Sequence, residues 1–310
     1  MEDKLVKIND KTVKLTNLDK VLWPKDGYTK ADLINYYYEV APYILPHLKN
    51  RLFTMCRFPH GIDGDFFYQK DCPEYADEWV KTFPIPSPNI KDKVTNYILC
   101  NNLETLIWIV NQACIETHPS LSIVPEVSMP DIAVFDLDPM PPSTFKDSLK
   151  VAVLVKEALN EFGIKGYPKT SGASGLHIYV PIEPKYPYEE VKKFAQYIFK
   201  MINKVFPSHT SMERLIKNRE GKIYLDYLQN TPGKTMACQY SLRPVDGANV
   251  SMPLYWEEVA GENISPSDFN IKNALPRLKE TGDLYADLLN KKQSIDKVLE
   301  LASNKKPALV

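Results

Sequence analysis

Pro130-Asp-Ile-Ala-Val-Phe-Asp-Leu-Asp-Pro139 is the stretch of sequence around which the fold is organised. Its apolar, partly β-branched residues from Ile132 to Leu137, closed by Pro139, predict a buried strand. Because side chains alternate between the faces of a strand, Asp136 and Asp138 share one face at its C-terminal end. Two carboxylates so close repel each other, and burial without a partner is costly. The pair therefore indicates a hard divalent cation, Mg²⁺ or Mn²⁺, of the kind that phosphoryl chemistry uses.

The composition is that of an ordinary globular protein. The 310 residues are 44% hydrophobic and 25% charged, and no apolar run approaches the roughly 20 residues that span a bilayer. The N-terminal residues lack the apolar core of a signal peptide, so we expect a cytoplasmic protein without a membrane partner. Five scattered cysteines argue against a disulfide framework and a zinc site. The net charge of −1 argues against coating of long duplexes but is compatible with a local basic groove.

Apolar spacing and turn residues predict a mixed order of strands and helices. In the first part they predict a hairpin (Leu5–Ile8 and Thr12–Leu15), a helix capped by Thr29 and interrupted near Pro42, a strand (Arg51–Phe58) and a helix (Asn101–Glu116). In the second part they predict the acidic strand, a helix (Phe145–Phe162), a strand (Ile178–Pro181), a helix (Tyr188–Phe206), a strand (Ile223–Leu228) and a helix (Leu284–Ala302). The fold class is therefore α+β, with a mixed central sheet flanked by helices and an N-terminal α/β subdomain.

A third acid lies in Lys222-Ile-Tyr-Leu-Asp226, a second predicted strand. Alternation places Tyr224 and Asp226 on one face and the two aliphatic residues on the other. An acid inside an apolar strand needs a partner. One interpretation is a salt bridge to a core arginine. The other is a third metal ligand, brought beside Asp136 and Asp138 by adjacent strands, since three carboxylates can hold two metal ions about 3.5–4 Å apart.

A loop rich in small residues, Ser171-Gly-Ala-Ser-Gly175, precedes His177 on a predicted strand. Small residues at Ser171, Gly172, Ser174 and Gly175 leave backbone N–H groups open to an anion, and such a nest suits phosphates. The plainer interpretation is a flexible turn and a core histidine. Arg219 and Arg243 suit phosphate through their planar guanidinium groups, although a single arginine is more often a surface residue.

Basic and aromatic residues alternate near the N-terminus. The basic residues are Lys20, Lys25, Lys30, Arg51 and Arg57, and the aromatic residues are Phe53, Phe58, Phe66, Phe67 and Tyr68. This mixture suits a nucleic-acid strand whose phosphates pair with cations and whose bases stack on rings. The alternative is that the rings belong to the core and the lysines are merely solvated.

Together these segments resemble the polymerase domain of the prokaryotic non-homologous end-joining ligase D, a member of the archaeo-eukaryotic primase superfamily. The resemblance covers nearly the whole chain in the expected order. The segments that carry it are Leu18–Pro24, Phe66–Lys70, Asp131–Pro139, Thr170–Pro181, Gly221–Asn230 and Tyr240–Pro253.

The resemblance implies a single primase-polymerase domain over residues 1–310, with a DNA-contacting part (1–125), a catalytic sheet (126–260) and a C-terminal helical part (261–310). It implies a DNA-directed nucleotidyltransferase that fills gaps and extends ends, prefers ribonucleotides and uses two divalent ions, Mn²⁺ or Mg²⁺. The implied partners are DNA with gaps, overhangs or 5′-phosphates, NTP or dNTP, the Ku end-binding protein and a separate ATP-dependent DNA ligase. The implied location is the cytoplasm, in association with the nucleoid.

The resemblance also assigns residue roles by position. The catalytic metal ligands would be Asp136, Asp138 and Asp226. The nucleotide contacts would be Ser171, Gly172, His177, Arg219, Arg243 and His118, the last near the nucleotide sugar. The DNA contacts would be Lys20 and Lys30 for a downstream 5′-phosphate, Arg57, and Phe66 and Phe67 for stacking. Some members carry a lysine where this chain has Ser174. The adenylated-lysine motif of a ligase is not found, which favours a stand-alone polymerase.

Three other functions compete with this interpretation. Asp136-Leu-Asp138 also resembles the nucleophile motif of haloacid-dehalogenase-type phosphatases, but Met140 stands where that motif has threonine or valine. A non-catalytic DNA-end-binding module would need the basic and aromatic residues but none of the acids. A primase that starts strands de novo would use the same chemistry, and the sequence leaves that choice open.

Overall fold

The computed structural model describes residues 3–87 and 90–303. Its strands are β1 (Lys4–Ile8), β2 (Lys11–Leu15), β3 (Val21–Trp23), β4 (Tyr28–Thr29), β5 (Leu52–Arg57), β6 (Phe67–Gln69), β7 (Thr82–Pro86), β8 (Val94–Leu99), β9 (Cys114–Pro119), β10 (Ile132–Asp138), β11 (Tyr167–Thr170), β12 (Leu176–Pro181), β13 (Thr210–Ser211) and β14 (Ile223–Asp226). Its helices are α1 (Lys30–Leu48), α2 (Leu103–Asn111), α3 (Phe145–Asn160), α4 (Tyr188–Val205), α5 (Trp256–Gly261), α6 (Ala274–Thr281), α7 (Ala286–Asn290) and α8 (Asp296–Ser303). The predicted α+β class is confirmed.

The chain divides into two compact units that are interleaved along the sequence. The first unit comprises the described residues up to 124 together with 235–251 and 269–282. The second comprises 125–234, 252–268 and the described residues from 283 onwards. The three subregions proposed from the sequence stay a prediction, and the outermost residues of the predicted single domain, 1–2 and 304–310, lie outside the described residues.

The second unit is built on a mixed sheet with the order β11-β12-β10-β14-β13. The acidic strand β10 lies at its centre and pairs antiparallel with both β12 and β14. The face of β10 opposite to the acids packs on α4, where Phe135 meets Phe194 and Phe199 edge to face at centroid distances of 5.5 and 5.2 Å. Because one face of β10 is fixed by this core, its acids are held on the other face.

The first unit contains a sheet in which β5 pairs with β6, β8 and β9, and β8 pairs with β7. The predicted hairpin is confirmed as β1 and β2. Thr29 caps α1 as predicted, since its hydroxyl accepts the N–H of Asp32, whose carboxylate accepts the N–H of Thr29 in return. None of the described helices combines the length and the apolar character needed to cross a bilayer.

Three predicted helix boundaries are wrong. Helix α1 runs through Pro42 to Leu48, because its buried face continues past the proline and packing outweighs the lost backbone hydrogen bond. The helix predicted to reach Glu116 ends at Asn111, and after a turn with Ala113 at φ +57° the chain enters β9. The predicted last helix is split into α7 and α8, because the backbone of Gln293 pairs with the end of β12.

Candidate active site

The two paired strands β10 and β14 bring the three predicted acids onto one face of the sheet. Asp136 lies directly opposite Asp226 in the antiparallel register, and Asp138 lies opposite Tyr224. Directly paired residues point to the same face, as do residues two apart on one strand. The prediction that adjacent strands place Asp226 beside the acidic pair is therefore confirmed.

The negatively charged carboxylates of this acidic face repel one another. Asp136 is buried, whereas Asp138 and Asp226 are partly exposed. Burial, followed by the negative charges of Asp138 and Asp226, raises the pKa of Asp136 well above its usual range, and the Lys169 ammonium opposes this shift. The face thus concentrates negative charge in a place where water screens it poorly.

Neutral and basic side chains hold these acids in place. Nε2 of His177 lies 3.3 Å from Oδ1 of Asp136, and Nε2 of Gln229 lies 3.4 Å from its Oδ2. Asp226 accepts the N–H of Leu228 at 2.8 Å through Oδ1 and the amide of Gln229 at 3.1 Å through Oδ2. Gln229, which the sequence did not single out, therefore bridges two of the three acids.

The donor chemistry of the face fits a hard divalent cation. In the described part of the chain, no three His, Cys, Asp or Glu side chains are already gathered into an arrangement ready to hold a metal ion. However, carboxylate oxygens are the ligands that Mg²⁺ and Mn²⁺ prefer. Oδ1 of Asp136 is buried and accepts no hydrogen bond from the residues that the structure describes. A cation could satisfy that oxygen and offset the repulsion among the acids.

The loop from Ser171 to Gly175 packs directly against the acidic strand. A Cβ at Gly175 would lie 2.7 Å from the carbonyl oxygen of Leu137 and 3.0 Å from Oδ1 of Asp138, so only glycine fits there. Gly172 has a φ of +77°, in the left-handed region that glycine tolerates best. The hydroxyl of Ser171 accepts the N–H groups of Ala173 and Gly175 at 3.1 and 3.0 Å. Those amides converge on one oxygen, which is the arrangement that an anion nest requires.

His177 and Arg219 contact the acidic face in different ways. His177 is buried and paired in register with Asp136, so it belongs to the row of ionisable residues across the sheet. The guanidinium of Arg219 lies 3.6 Å from the ring centroid of Tyr224, which shares the face of Asp226. Its Nε and Nη2 each donate at 3.0 Å to the carbonyl oxygens of Glu213 and Arg214. Arg219 therefore orders the loop that precedes β14.

The predicted nucleotide contacts His118 and Arg243 lie in the first unit, and a residue that the sequence did not single out joins them. Oε1 of the buried Glu116 accepts a short hydrogen bond from Nε of Arg243, and Nε2 of His118 lies 3.2 Å from Oε2 of Glu116. Nδ1 of His118 lies 3.4 Å from the hydroxyl of Thr235, and the ring meets Tyr68 edge to face. We call Glu116, His118 and Arg243 the Glu116 cluster.

The predicted DNA contacts also lie in the first unit, and they divide into exposed and buried groups. Phe66 and Phe67 are 53% and 46% exposed, so the alternative that they are core residues is excluded. Phe66 stacks on Phe58 at a centroid distance of 5.1 Å. Arg57 lies 5.3 Å from the Phe67 ring. It also donates to Gln69, Tyr75 and the carbonyl of Gln112, so it has a structural role as well.

Lys20, Lys30 and Arg57 form a group of cations. Lys30 is buried and donates to the hydroxyl of Thr16 at 3.2 Å, whereas Lys20 is exposed. Burial, with the nearby charges of Lys20 and Arg57, lowers the pKa of Lys30 to about 8. An anion bound among these residues would relieve their mutual repulsion.

Comparison with known proteins identifies relatives over most of the chain. The sequence model of the family described as LigD, primase-polymerase domain, matches residues 29–285. The bifunctional non-homologous end joining protein LigD of Bacillus subtilis is 38% identical over 91% of this chain and 45% of its own length. The multifunctional LigD of Mycolicibacterium smegmatis is 33% identical over 89% of this chain and 36% of its own length. The chain thus spans less than half the length of these curated relatives.

A solved structure matches the fold. The polymerase domain from Mycobacterium tuberculosis ligase D in complex with DNA has a TM-score of 0.83 and 28% sequence identity to this chain. The alignment covers 91% of this chain and 99% of that domain. The match therefore extends over the entire fold of the domain and not over a single motif.

Proposed function

We propose a function for this chain, which belongs to the LigD primase-polymerase domain family and is an enzyme of the nucleotidyltransferase class. We infer that it adds nucleotides to the 3′ end of a DNA primer, filling gaps and extending ends in non-homologous end joining, with a preference for ribonucleotides. The observation that carries this proposal is the register that sets Asp136 opposite Asp226 and beside Asp138 on one face.

The three acids would hold two divalent ions, Mn²⁺ or Mg²⁺. When bound, such ions lower the pKa of the primer 3′-hydroxyl and offset the charge that develops on the departing pyrophosphate. Gln229 and His177 keep the carboxylates of Asp136 and Asp226 on this face before any cation arrives. Their role is to orient the ligands, which is the usual task of residues around a metal site.

The Ser171 loop would receive the triphosphate. Because the N–H groups of Ala173 and Gly175 already point at the Ser171 hydroxyl, a phosphate oxygen can replace that hydroxyl as their acceptor. Gly172 gives the loop its turn, and Gly175 keeps it against the acidic strand. Together with His177 and Arg219, these donors would stabilise the charge on the triphosphate in the transition state.

The first unit would contact DNA and part of the nucleotide. Lys20 and Lys30 would bind a 5′-phosphate of a downstream strand, since they form a group of cations with Arg57. The exposed rings of Phe66 and Phe67 would stack on bases. The related mycobacterial domain was solved with DNA, which supports this partner. Ku and a separate ATP-dependent ligase are further proposed partners, and the cytoplasmic nucleoid is the proposed location.

The test is extension of a primer with a short 3′ overhang, using labelled NTPs and dNTPs with Mg²⁺ or Mn²⁺. We expect the wild-type chain to add nucleotides and Asp136→Ala to add none. Asp147→Ala, which removes a partly exposed capping carboxylate of α3 that also pairs with Lys150, is the control and should keep full activity. A reaction without any primer would show whether the chain also starts strands. Extension by Asp136→Ala at the wild-type rate would overturn the proposal.

A further inference from the structure

Glu116 is placed to fix two residues at once. It lies on β9, opposite Cys56 of β5, and its side chain is buried. One carboxylate oxygen accepts the Nε–H of Arg243, and the other lies 3.2 Å from Nε2 of His118. Glu116 thus links His118, near the end of the first segment of this unit, to Arg243 in its 235–251 segment.

The charge of Glu116 is stabilised within the protein. Burial alone would raise its pKa, but the hydrogen bond from His118 and the charge of Arg243 lower the pKa of this carboxyl to about 2. Glu116 is therefore ionised at neutral pH, and an ionised carboxylate only accepts hydrogen bonds. Any hydrogen bond between Glu116 and His118 must then be donated by the histidine.

This contact decides which nitrogen of His118 carries the proton. Nε2 must bear the hydrogen that it donates to Glu116, and in a neutral imidazole the other nitrogen is then an acceptor. That acceptor, Nδ1, lies 3.4 Å from the hydroxyl of Thr235. A contact of this length is a weak hydrogen bond that a nucleotide donor can replace. In the neutral ring, Nδ1 is therefore the nitrogen that can accept a hydrogen bond.

We propose that Glu116 is a positioning residue for nucleotide binding, which holds His118 as the Nε2-protonated tautomer and fixes the guanidinium of Arg243. The proposal rests on the proposed function, in which His118 and Arg243 contact the nucleotide. It also gives a physical reason for the sugar contact that the resemblance implies for His118, because Nδ1 would accept from a donor such as a sugar hydroxyl and not from a phosphate oxygen. A phosphate oxygen would be repelled by the lone pair of Nδ1.

The variant Glu116→Gln tests the tautomer because it keeps the shape and reverses one hydrogen bond. The amide oxygen of the glutamine can still accept from Nε of Arg243. Its NH₂ group must then face Nε2 of His118 and donate to it, which moves the histidine proton to Nδ1. The matched control is Glu104→Gln, a buried glutamate of the same unit that accepts from Asn9 and lies on α2.

The direct measurement is ¹⁵N nuclear magnetic resonance of the histidine rings in the nucleotide-free chain at pH 7.5, with His118 assigned from a His118→Gln spectrum. We expect the Nε2-protonated tautomer in the wild-type chain and in Glu104→Gln, and the Nδ1-protonated tautomer in Glu116→Gln. A wild-type His118 that is protonated on Nδ1, alone or together with Nε2, would overturn the proposal. Because the wild-type result does not depend on Glu116→Gln, it decides the tautomer even where that variant does not fold.

Kinetics provide the second measurement. We expect Glu116→Gln to raise the KM for ATP at least tenfold while kcat changes less than threefold, because the acids that carry the chemistry are untouched. An unchanged KM would overturn the positioning role. If the wild-type chain transfers no nucleotide at all, the proposed function fails while the spectrum still decides the tautomer, so the two failures are distinguishable.

Discussion

Asp136 and Glu116 are both buried carboxylates on strands, one in each unit, and their surroundings are opposite. Asp136 also has a histidine nearby, His177 at 3.3 Å, but burial and then the negative charges of Asp138 and Asp226 raise its pKa. The neighbours of Glu116 are a histidine and an arginine, which lower its pKa to about 2 despite burial. The same chemical group is therefore electrostatically unbalanced in one unit and satisfied in the other.

The difference teaches how to distinguish two roles of a buried acid. A carboxylate whose cationic partners are supplied by the chain itself holds those partners in place, which is a positioning role. A carboxylate that faces other carboxylates has a balancing charge that must come largely from outside, and a divalent cation is the ligand that suits it. We expect substitutions at the two sites to differ accordingly.

The largest effect should come from breaking the acidic face. We expect Asp138→Ala to lower the rate of primer extension by at least about a thousandfold, because the two-cation centre loses a ligand that no neighbour replaces. Single-turnover extension of a primed template measures the rate, and circular dichroism checks that the fold is kept. Extension at close to the wild-type rate would refute the role of the acidic face.

Removal of the negative charge should affect the free energy of unfolding differently at Asp136 and at Glu116. With a chelator present at pH 7, Asp136→Asn should leave the free energy of unfolding unchanged or raise it, since it relieves the repulsion between the buried Asp136 and the partly exposed Asp138 and Asp226. Glu116→Gln should lower the free energy of unfolding by about 3 kcal/mol, since it removes the buried negative charge that pairs with the partly buried Arg243. Urea unfolding of both variants measures the difference. Equal losses in the two variants would contradict the comparison.

How much of this contrast was predictable depends on the residue. The acidic face was predicted because a period of two places Asp136, Asp138 and Asp226 on known faces, and a buried strand fixes which face that is. Glu116 was missed because a helix was predicted to run through it. The turn that ends α2 depends on Ala113 at φ +57°, with no glycine or proline to mark it. Tertiary pairing of β9 with β5 decided the local structure there.

The loop and the proline-containing helix show the same limit. Composition predicted an anion nest at Ser171, but not that its hydroxyl already gathers the N–H groups of two loop residues. Thr29 and the nearby Asp32 predicted the start of α1 as an N-cap, whereas the passage of the helix through Pro42 follows from the burial of the residues beyond it. Patterns within one element were sufficient to predict the anion nest and the start of α1. The hydrogen bonds of Ser171 and the passage of α1 through Pro42 depend on the folded structure.

The pH dependence sharpens the comparison at the Glu116 cluster. The pKa of Glu116 falls from an ordinary 4.5 to about 2 on folding, so its contribution to stability is present above pH 4.5 and is lost as the pH falls towards 2. We expect the stability difference between the wild-type chain and Glu116→Gln, about 3 kcal/mol at pH 7, to shrink across that window. Urea unfolding at a series of pH values measures it, and a difference independent of pH would contradict the ion pair.

A smaller effect should come from the cation group of the first unit, Lys20, Lys30 and Arg57, whose charges repel one another as those of the acidic face do. We expect Lys20→Ala combined with Lys30→Ala to weaken binding of gapped DNA with a 5′-phosphate by about tenfold. The same DNA without that phosphate should bind nearly as before. Fluorescence anisotropy at fixed salt compares the two substrates, and an equal loss on both would refute a phosphate site.

The account depends most on the claim that the carboxylates of Asp136, Asp138 and Asp226 together hold two divalent ions. Isothermal titration with Mn²⁺ in the presence of ATP counts those ions directly. Titrations without protein and with Asp147→Ala give the ions held by ATP alone and by an intact site. We predict two Mn²⁺ ions per wild-type chain above the ATP background, and at most one for Asp136→Asn. Equal stoichiometry and affinity in the wild-type chain and Asp136→Asn would contradict the account.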